Sequence, residues 1–339
     1  MITVENLTKS FRGTTGPVVA LDDVTFDVTA GSIAGVVGPG GSGKSTLARL
    51  IALQERPDSG VIRLDGQNTA GLDPRRLRVA RSQIGVVPAG DSLIAQRTAA
   101  GNIAAPLEQA GVDGPQRRTK VGQLLDLIGL TDKAATYPDA LTPGQRRRVA
   151  VARALVGEPT VLLADDPTGA LDPDGAAGVL TVLDRARAEL GATVVLTTTD
   201  AGVVRRIADE VAILDHGRIV EHGGLLELIQ RPAGQVAAAV LPDIDPAAVS
   251  TTGSTGHDRV VDVVLIGFAA VGALLPEAAS RFDVAIPVLG GGLTRLGETP
   301  VARFRVGVTG ARADGAIDWI TERGGLVHPV PAGIRGVAA

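Results

Sequence analysis

The segment GPGGSGKST, Gly38–Thr46, follows the short apolar run IAGVVG (Ile33–Gly38) and precedes the helical stretch TLARLIAL. A strand, a glycine-rich loop and a helix in that order fit only where a buried strand hands over to a helix lying on its sheet, so the chain must contain an α/β layer. The spacing matches G-x-x-x-x-G-K-[ST]. Small residues at Gly38, Pro39, Gly40, Gly41, Ser42 and Gly43 let the backbone wrap and aim its N–H groups at phosphate oxygens. The helix that starts at Lys44 adds its positive end. Lys44 offers a point charge to the β- and γ-phosphates, Ser45 a hydroxyl to Mg²⁺, and Thr46 completes the loop. A glycine-rich turn that binds nothing is the competing reading, and the flanking strand and helix argue against it.

A second stretch, VLLADDPTGALD (Val161–Asp172), runs a buried strand into two aspartates. Asp165, at the strand end, stands where the Mg²⁺ shell of a phosphate loop needs a carboxylate. A turn or capping aspartate is the alternative.

With 339 residues the chain is too long for one core of ordinary size, which predicts two domains. Only 2% of residues are aromatic, so the cores are built from Val, Leu, Ile and Ala. A net charge of −4 argues against a nucleic-acid partner. The absence of cysteine excludes disulfides, thiolate catalysis and Cys-ligated zinc. The histidines His216, His222, His257 and His328 show no metal spacing. No apolar run reaches the ~18 residues of a membrane span. Met1 leads directly into the strand ITVENL, so no signal peptide is expected, and any membrane role is expected to come through a partner.

Residues 1–235 alternate short Val/Ile/Leu strands with helical stretches, with clear strands expected at Ile33–Gly38, Ile84–Pro88, Val161–Asp165 and Thr193–Thr198. DHGRIVEHGG (Asp215–Gly224) reads as a hairpin, followed by a helix at Leu225–Arg231 that meets Pro232. The Pro/Ser/Thr/Gly-rich stretch 236–257 reads as a linker. From Asp258 to Ala339 the order is a strand (RVVDVVLIGF), a helix near Pro276–Arg281, the strands DVAIPVLG and ARFRVGVTG, the helix ARADGAIDWITERG and the strand GLVHPV. This βαββαβ order is the ferredoxin-like plan. The basic stretch DPRRLRVAR (Asp73–Arg81) reads as a solvated helix face, and Trp319 as core packing beside Ile317 and Ile320.

LTPGQRRRVAVARAL (Leu141–Leu155), between the two phosphate-site motifs, resembles the signature segment of ABC-type ATPases, and GALD (Gly169–Asp172) resembles their D-loop. The resemblance covers the whole N-terminal domain. It implies a P-loop NTPase fold, a mixed sheet with helices plus a helical subdomain. It also implies Phe11 stacking on adenine, and a dimer in which Thr142, Gly144 and Gln145 contact the nucleotide of the opposite chain. The C-terminal segment looks like the NIL domain of methionine-import ATPases, which implies a small amino-acid ligand there. The implied assembly is a homo- or heterodimer sandwiching ATP and Mg²⁺. It would drive two transmembrane permease subunits, and indirectly a substrate-binding lipoprotein, from the cytoplasmic face of the membrane.

Four positions depart from the family pattern. Asp166 stands where a glutamate polarises the attacking water, with a carboxylate one methylene shorter. Thr199 stands at the switch histidine and cannot carry its charge. Ala89 stands at the glutamine of the loop after Ile84–Pro88, with Gln96 out of register. Pro143 removes an N–H from the signature, although proline suits a first helical turn. In the C-terminal domain, Pro287 stands where the resemblance favours an asparagine. Together these predict retained ATP binding with weakened hydrolysis. An ATP-dependent binding switch is the alternative, and an ABC protein acting on DNA or ribosomes is disfavoured by the acidic charge and the single cassette.

Overall fold

The computed structural model describes residues 1–13, 16–90, 92–231, 234–244 and 257–330. It divides into two compact units, Met1–Leu225 and Leu226–Ala339.

In the first unit, β1 (Ile2–Gly13) pairs antiparallel with β2 (Gly16–Val28) on one side and, after β3 (Ile33–Val37) and α1 (Lys44–Ile51), with β4 (Ser59–Leu64) on the other. The short β5 (Gln67–Asn68) completes the sheet order β2-β1-β4-β5. Ile2 and Val4 face inward while Thr3 and Glu5 do not, the alternation of a sheet with one covered face.

The second sheet is built from β3 and five later strands. In chain order these strands and the helices between them are α2 (Pro74–Ser82), β6 (Ile84–Val87), α3 (Ala99–Gln109), α4 (Gly114–Leu127), α5 (Pro143–Leu155), β7 (Val161–Asp165), α6 (Pro173–Leu190), β8 (Thr193–Thr198), α7 (Ala201–Ile207), β9 (Glu210–Asp215) and β10 (Arg218–Gly224). The strand order is β10-β9-β3-β8-β7-β6, parallel from β9 to β6, with β10 returning antiparallel along the edge. β7 and β8 are buried on both faces, which is why each carries a continuous apolar run, Val161–Ala164 and Val194–Leu196. Helices α3 and α4 form, with α5, the helical subdomain, through Ile103, Leu107, Leu124, Leu127 and Val149. Side chains of Asp73, Thr98, Asp113 and Thr142 cap α2, α3, α4 and α5, satisfying N–H groups that the helices cannot.

The second unit carries α8 (Leu225–Leu228, shared with the boundary), α9 (Gln235–Val240), β11 (Arg259–Ile266), α10 (Phe268–Val271), α11 (Leu274–Phe282), β12 (Val288–Leu296), β13 (Thr299–Val308), α12 (Ala313–Glu322) and β14 (Leu326–Pro329). Its sheet, β12-β13-β11-β14, is antiparallel throughout, as the ferredoxin-like plan requires. One face packs Val261, Val263, Val306 and Val308 against Ala278, Ala316 and Ile320 of the helices. Trp319 is half-buried, 6.4 Å from the Phe282 ring and flanked by the guanidinium groups of Arg281 and Arg323. α9 occupies the start of the stretch read as a linker; residues 245–256 and Pro232 lie outside the described residues.

The strand expected at DVAIPVLG is displaced: β12 begins only at Val288 and runs through the glycines to Leu296, and Ala285 makes an isolated bridge to Thr309. The register shifts between Val288 and Gly290, and Gly291, at φ +101°, lies where a Cβ would come within 2.0 Å of Arg303 O. Here a glycine tract is a strand with a bulge.

On the other face of this sheet, Asp262 takes two bonds from Arg305, at 2.7 and 2.9 Å. His328 lies directly across from Asp262, with its Nε2 buried and without a hydrogen-bond partner among the described residues. Burial lowers its pKa, with Asp262 opposing and Arg303 adding to the shift. The unfolded imidazole titrates near ~6.5. The folded chain takes up that proton at lower pH, so the stability linked to His328 is complete above the unfolded value and is lost as pH falls below it. Urea unfolding followed by fluorescence of Trp319, the single tryptophan, is expected to show a midpoint that falls between about pH 7 and about pH 5. His328→Leu is expected to flatten that dependence, and an unchanged slope would remove the assignment.

Candidate nucleotide-binding site

The phosphate loop crosses the C-terminal ends of the parallel strands, the crevice where open α/β sheets take ligands. Two glycines are required there. A Cβ on Gly38 would lie 2.0 Å from Leu214 O, and one on Gly43, at φ +105°, 2.4 Å from Ala20 O. The loop is thus braced between β2 and the turn from β9 to β10, where Gly217 N–H also donates to Ser42 O at 3.0 Å. Lys44 is buried, its Nζ donating to Gly38 O at 2.7 Å and Pro39 O at 2.8 Å. Burial lowers the Lys44 pKa, and the charges of Asp166 and then Asp165 oppose that shift.

Ser45 and Asp165 are brought together as the sequence requires: Ser45 Oγ donates to Asp165 Oδ1 at 3.3 Å. Thr197, paired with Asp165 across β7 and β8, donates its hydroxyl to the same oxygen at 2.5 Å. Ser45 Oγ and the Asp165 carboxylate are hard oxygens of the kind Mg²⁺ prefers. Asp166 follows with a left-handed backbone, φ +46°, its N–H held by Thr197 O at 3.0 Å. Such a conformation is costly for most residues and tolerated best by Asp and Asn. Its carboxylate occupies the space beside Gly169, where a Cβ would come within 2.1 Å of Oδ2. Burial raises the Asp166 pKa, Asp165 and Asp200 add to the shift, and Arg147 and Lys44 oppose it.

The departures fall around this centre. Thr199 is exposed just past β8, and Ala89 is exposed just past β6. The loop carrying Ala89 is instead held by arginines of α5: Arg147 donates to Pro88 O at 2.8 Å, and Arg153 to Ser92 O at 2.8 Å and Ser92 Oγ at 2.9 Å. Gln96 is exposed in a turn. A cavity of about 170 Å³ between this loop, the start of α5 and the D-loop is lined by Gly90, Pro143, Arg147, Gly169 and Ala170.

Thr142 and Gln145 form a reciprocal capping box: Thr142 N–H donates to Gln145 Oε1 at 2.9 Å, and Gln145 N–H to Thr142 Oγ1 at 3.2 Å. Pro143 occupies the first helical position, where no N–H is missed. A Cβ on Gly144 would lie 2.7 Å from the Gly175 Cα, so Gly144 is needed for the approach of α5 to α6. Phe11 stands on the β1–β2 ribbon, 38% exposed.

Sequence reasoning did not find Thr197, Arg147 or Arg153. A threonine run ending an otherwise apolar buried strand was the available signal for Thr197. The arginine run after the signature gave no sign of which side chain turns inward.

The ABC transporter family profile matches residues 21–169, and the NIL domain profile residues 259–328. The chain is 43% identical over 331 residues to the methionine import ATP-binding protein MetN of Thermobifida fusca, covering 98% of this chain and 100% of that protein. It is 40% identical over 337 residues to the MetN of Symbiobacterium thermophilum, covering 98% and 100%. Among solved structures, the dimeric ATP-binding cassette MJ0796 in a post-hydrolysis state bound to ADP and Pi matches with a TM-score of 0.61 and 32% identity, over 66% of this chain and 98% of that one.

With Lys44 central to the loop, Mg²⁺-dependent ATP binding is expected for the wild type and is expected to be abolished by Lys44→Ala. Equal binding of a fluorescent ATP analogue by both proteins would overturn the phosphate-loop assignment.

Proposed function

The chain belongs to the family of ABC transporter ATP-binding proteins that carry a C-terminal NIL domain, and from that premise we propose that it is the ATP-binding subunit of an importer for methionine or a related amino acid. The observation that carries this reading is the near full-length match, through both domains, to proteins named as methionine import ATP-binding proteins. Residues 1–235 serve as the nucleotide-binding domain and 258–339 as the regulatory domain. The subunit works as a dimer on two membrane permease subunits, held peripherally at the cytoplasmic face. The dimeric state of the matched cassette supports the pairing.

In this reading Gly38–Thr46 hold the phosphates, and Phe11 stacks on adenine. Thr142, Gly144 and Gln145 meet the nucleotide of the second chain. Ser45 Oγ and the Asp165 carboxylate would hold Mg²⁺, with Thr197 orienting Asp165, and the ion would supply positive charge against the phosphates. Asp166 is the base that orients water toward the γ-phosphate, and Thr199 is a neutral hydrogen-bonding neighbour of that phosphate. Catalytic geometry is sensitive to about 1 Å. A carboxylate one methylene short, with Ala89 and Thr199 unable to hold the water from the other sides, supports slow hydrolysis. General-base help is worth about 10²–10⁴-fold, and part of that is what the shortened stem forfeits. The same observations favour, as a second reading, an ATP-dependent binding switch with little turnover.

Groups that act as a unit are non-additive on removal, and the same is expected on repair. Asp166→Glu alone and Thr199→His alone are expected to raise steady-state phosphate release little. The triple change with Ala89→Gln should raise it by much more than the product of the singles. Vigorous release by the unmodified chain, measured against Lys44→Ala, would refute slow hydrolysis; full rescue by Asp166→Glu alone would confine the defect to one methylene.

For the regulatory domain, isothermal titration of the full chain with methionine and other small apolar amino acids is expected to give saturable binding, and a chain ending at residue 244 is expected to give none. Heat without saturation, or equal binding by both, would remove the ligand-sensing role.

A further inference from the structure

Strand β1 outruns its partner on one side. Its pairing with β4 ends at Thr8↔Ser59, whereas its pairing with β2 continues to Gly13↔Gly16. Beyond Thr8 one edge of β1 meets no strand among the described residues, and a two-stranded ribbon is marginal by itself. Asp58, the residue before β4, takes over. Its own N–H donates to Thr8 O at 2.9 Å, and its Oδ2 accepts from Ser10 N–H at 2.7 Å. A side chain thus continues the pairing that the strand has stopped supplying. The β1–β2 register shifts between Lys9 and Ser10, and such an irregularity re-aims side chains.

Lys9 is fixed by the same carboxylate. Its Nζ donates to Asp58 Oδ1 and to Arg56 O, each at 2.9 Å, and lies over the Phe11 ring, 5.5 Å from the centroid. Only 17% of the Lys9 side chain is exposed. A lysine so confined has given up the freedom that surface lysines keep, and the ring face it attracts is closed to other partners. The Phe11 ring remains partly exposed beside its cross-strand neighbour Val18.

We propose that Asp58 and Lys9 are positioning residues for the nucleotide base. Asp58 fixes the free-running end of β1 and the Lys9 ammonium, and Lys9 holds the Phe11 ring so that its open face receives adenine. The proposal rests on the reading of Phe11 as the adenine platform. Neither residue acts on the phosphates, so the two halves of the nucleotide separate cause from consequence.

The test compares equilibrium binding of Mg·ATP and of Mg·tripolyphosphate, which carries the phosphates and no base, to the full-length chain. Phe11→Ala is the reference. Asp58→Ala and Lys9→Met are each expected to weaken ATP binding about five- to tenfold, the scale of a loosened base–aromatic stack, and to leave tripolyphosphate binding unchanged. Lys9→Arg is expected to recover most of the loss. If Phe11→Ala weakens ATP while Asp58→Ala and Lys9→Met do not, the proposal fails and the platform stands. If the Asp58 and Lys9 variants lose ATP and tripolyphosphate together, the residues support the fold and not the base, and the proposal fails again. If Phe11→Ala leaves ATP binding intact, the platform itself is wrong and the proposal goes with it.

Discussion

The wrap of the phosphate loop depends on two backbone approaches too close for any Cβ, Gly38 against Leu214 O and Gly43 against Ala20 O. The first ties the loop to the end of β9 and the second to β2, so strands far apart in sequence must be in place before the loop has its shape. This couples the antiparallel sheet to the parallel one. It also places Lys44 at the start of α1, where its ammonium is turned into the loop, onto the carbonyls of Gly38 and Pro39 and the Ser42 hydroxyl. An interior so dense transmits displacement instead of absorbing it. A shift of the β9–β10 turn would therefore be felt at the phosphates.

Charge around the site is nearly balanced without a ligand. The charges of Asp165 and Asp200 act on the Asp166 carboxylate, against those of the buried Arg147 and of Lys44. A triphosphate adds several negative charges to a region already carrying three carboxylates. Ser45 Oγ and the Thr197 hydroxyl both donate to Asp165 Oδ1, which holds that carboxylate beside the first turn of α1. Arg147 serves two ends, being bonded to the backbone of Pro88 while acting through space on Asp166. The loop after β6 and the second carboxylate thereby share one counter-charge.

What could be read from the sequence follows the range of the forces involved. β7 and β8 were legible to the residue, because the middle of a strand buried on both faces is a continuous apolar run, Val161–Ala164 in β7 and Val194–Leu196 in β8. The phosphate loop was legible because its chemistry fixes its spacing. The βαββαβ order was legible, but β12 was placed too early, since Gly290–Gly292 look like a loop until a bulge gives each glycine a place. Gly144 carried a structural demand that spacing could not reveal, because Gly175 reaches it only through the packing of α5 on α6. Arg147 and Asp58 were missed for the same reason, since each acts on a residue tens of positions away that no local pattern announces, and for Thr197 the threonine run marked the residue but not its partner.

The capping box at the start of α5 has a thermodynamic consequence. Thr142 and Gln145 already spend their hydrogen bonds on each other, and Pro143 has fixed the first turn. A second chain's nucleotide arriving at this helix would meet ordered groups, so little conformational entropy would be lost on contact. In the box both side chains only accept, so the Thr142 hydroxyl hydrogen and the Gln145 Nε2 hydrogens could be donated to a phosphate with the box intact. Closure at this end would then add charge-assisted hydrogen bonds to a helix start that is already in place, with no bond of the box given up.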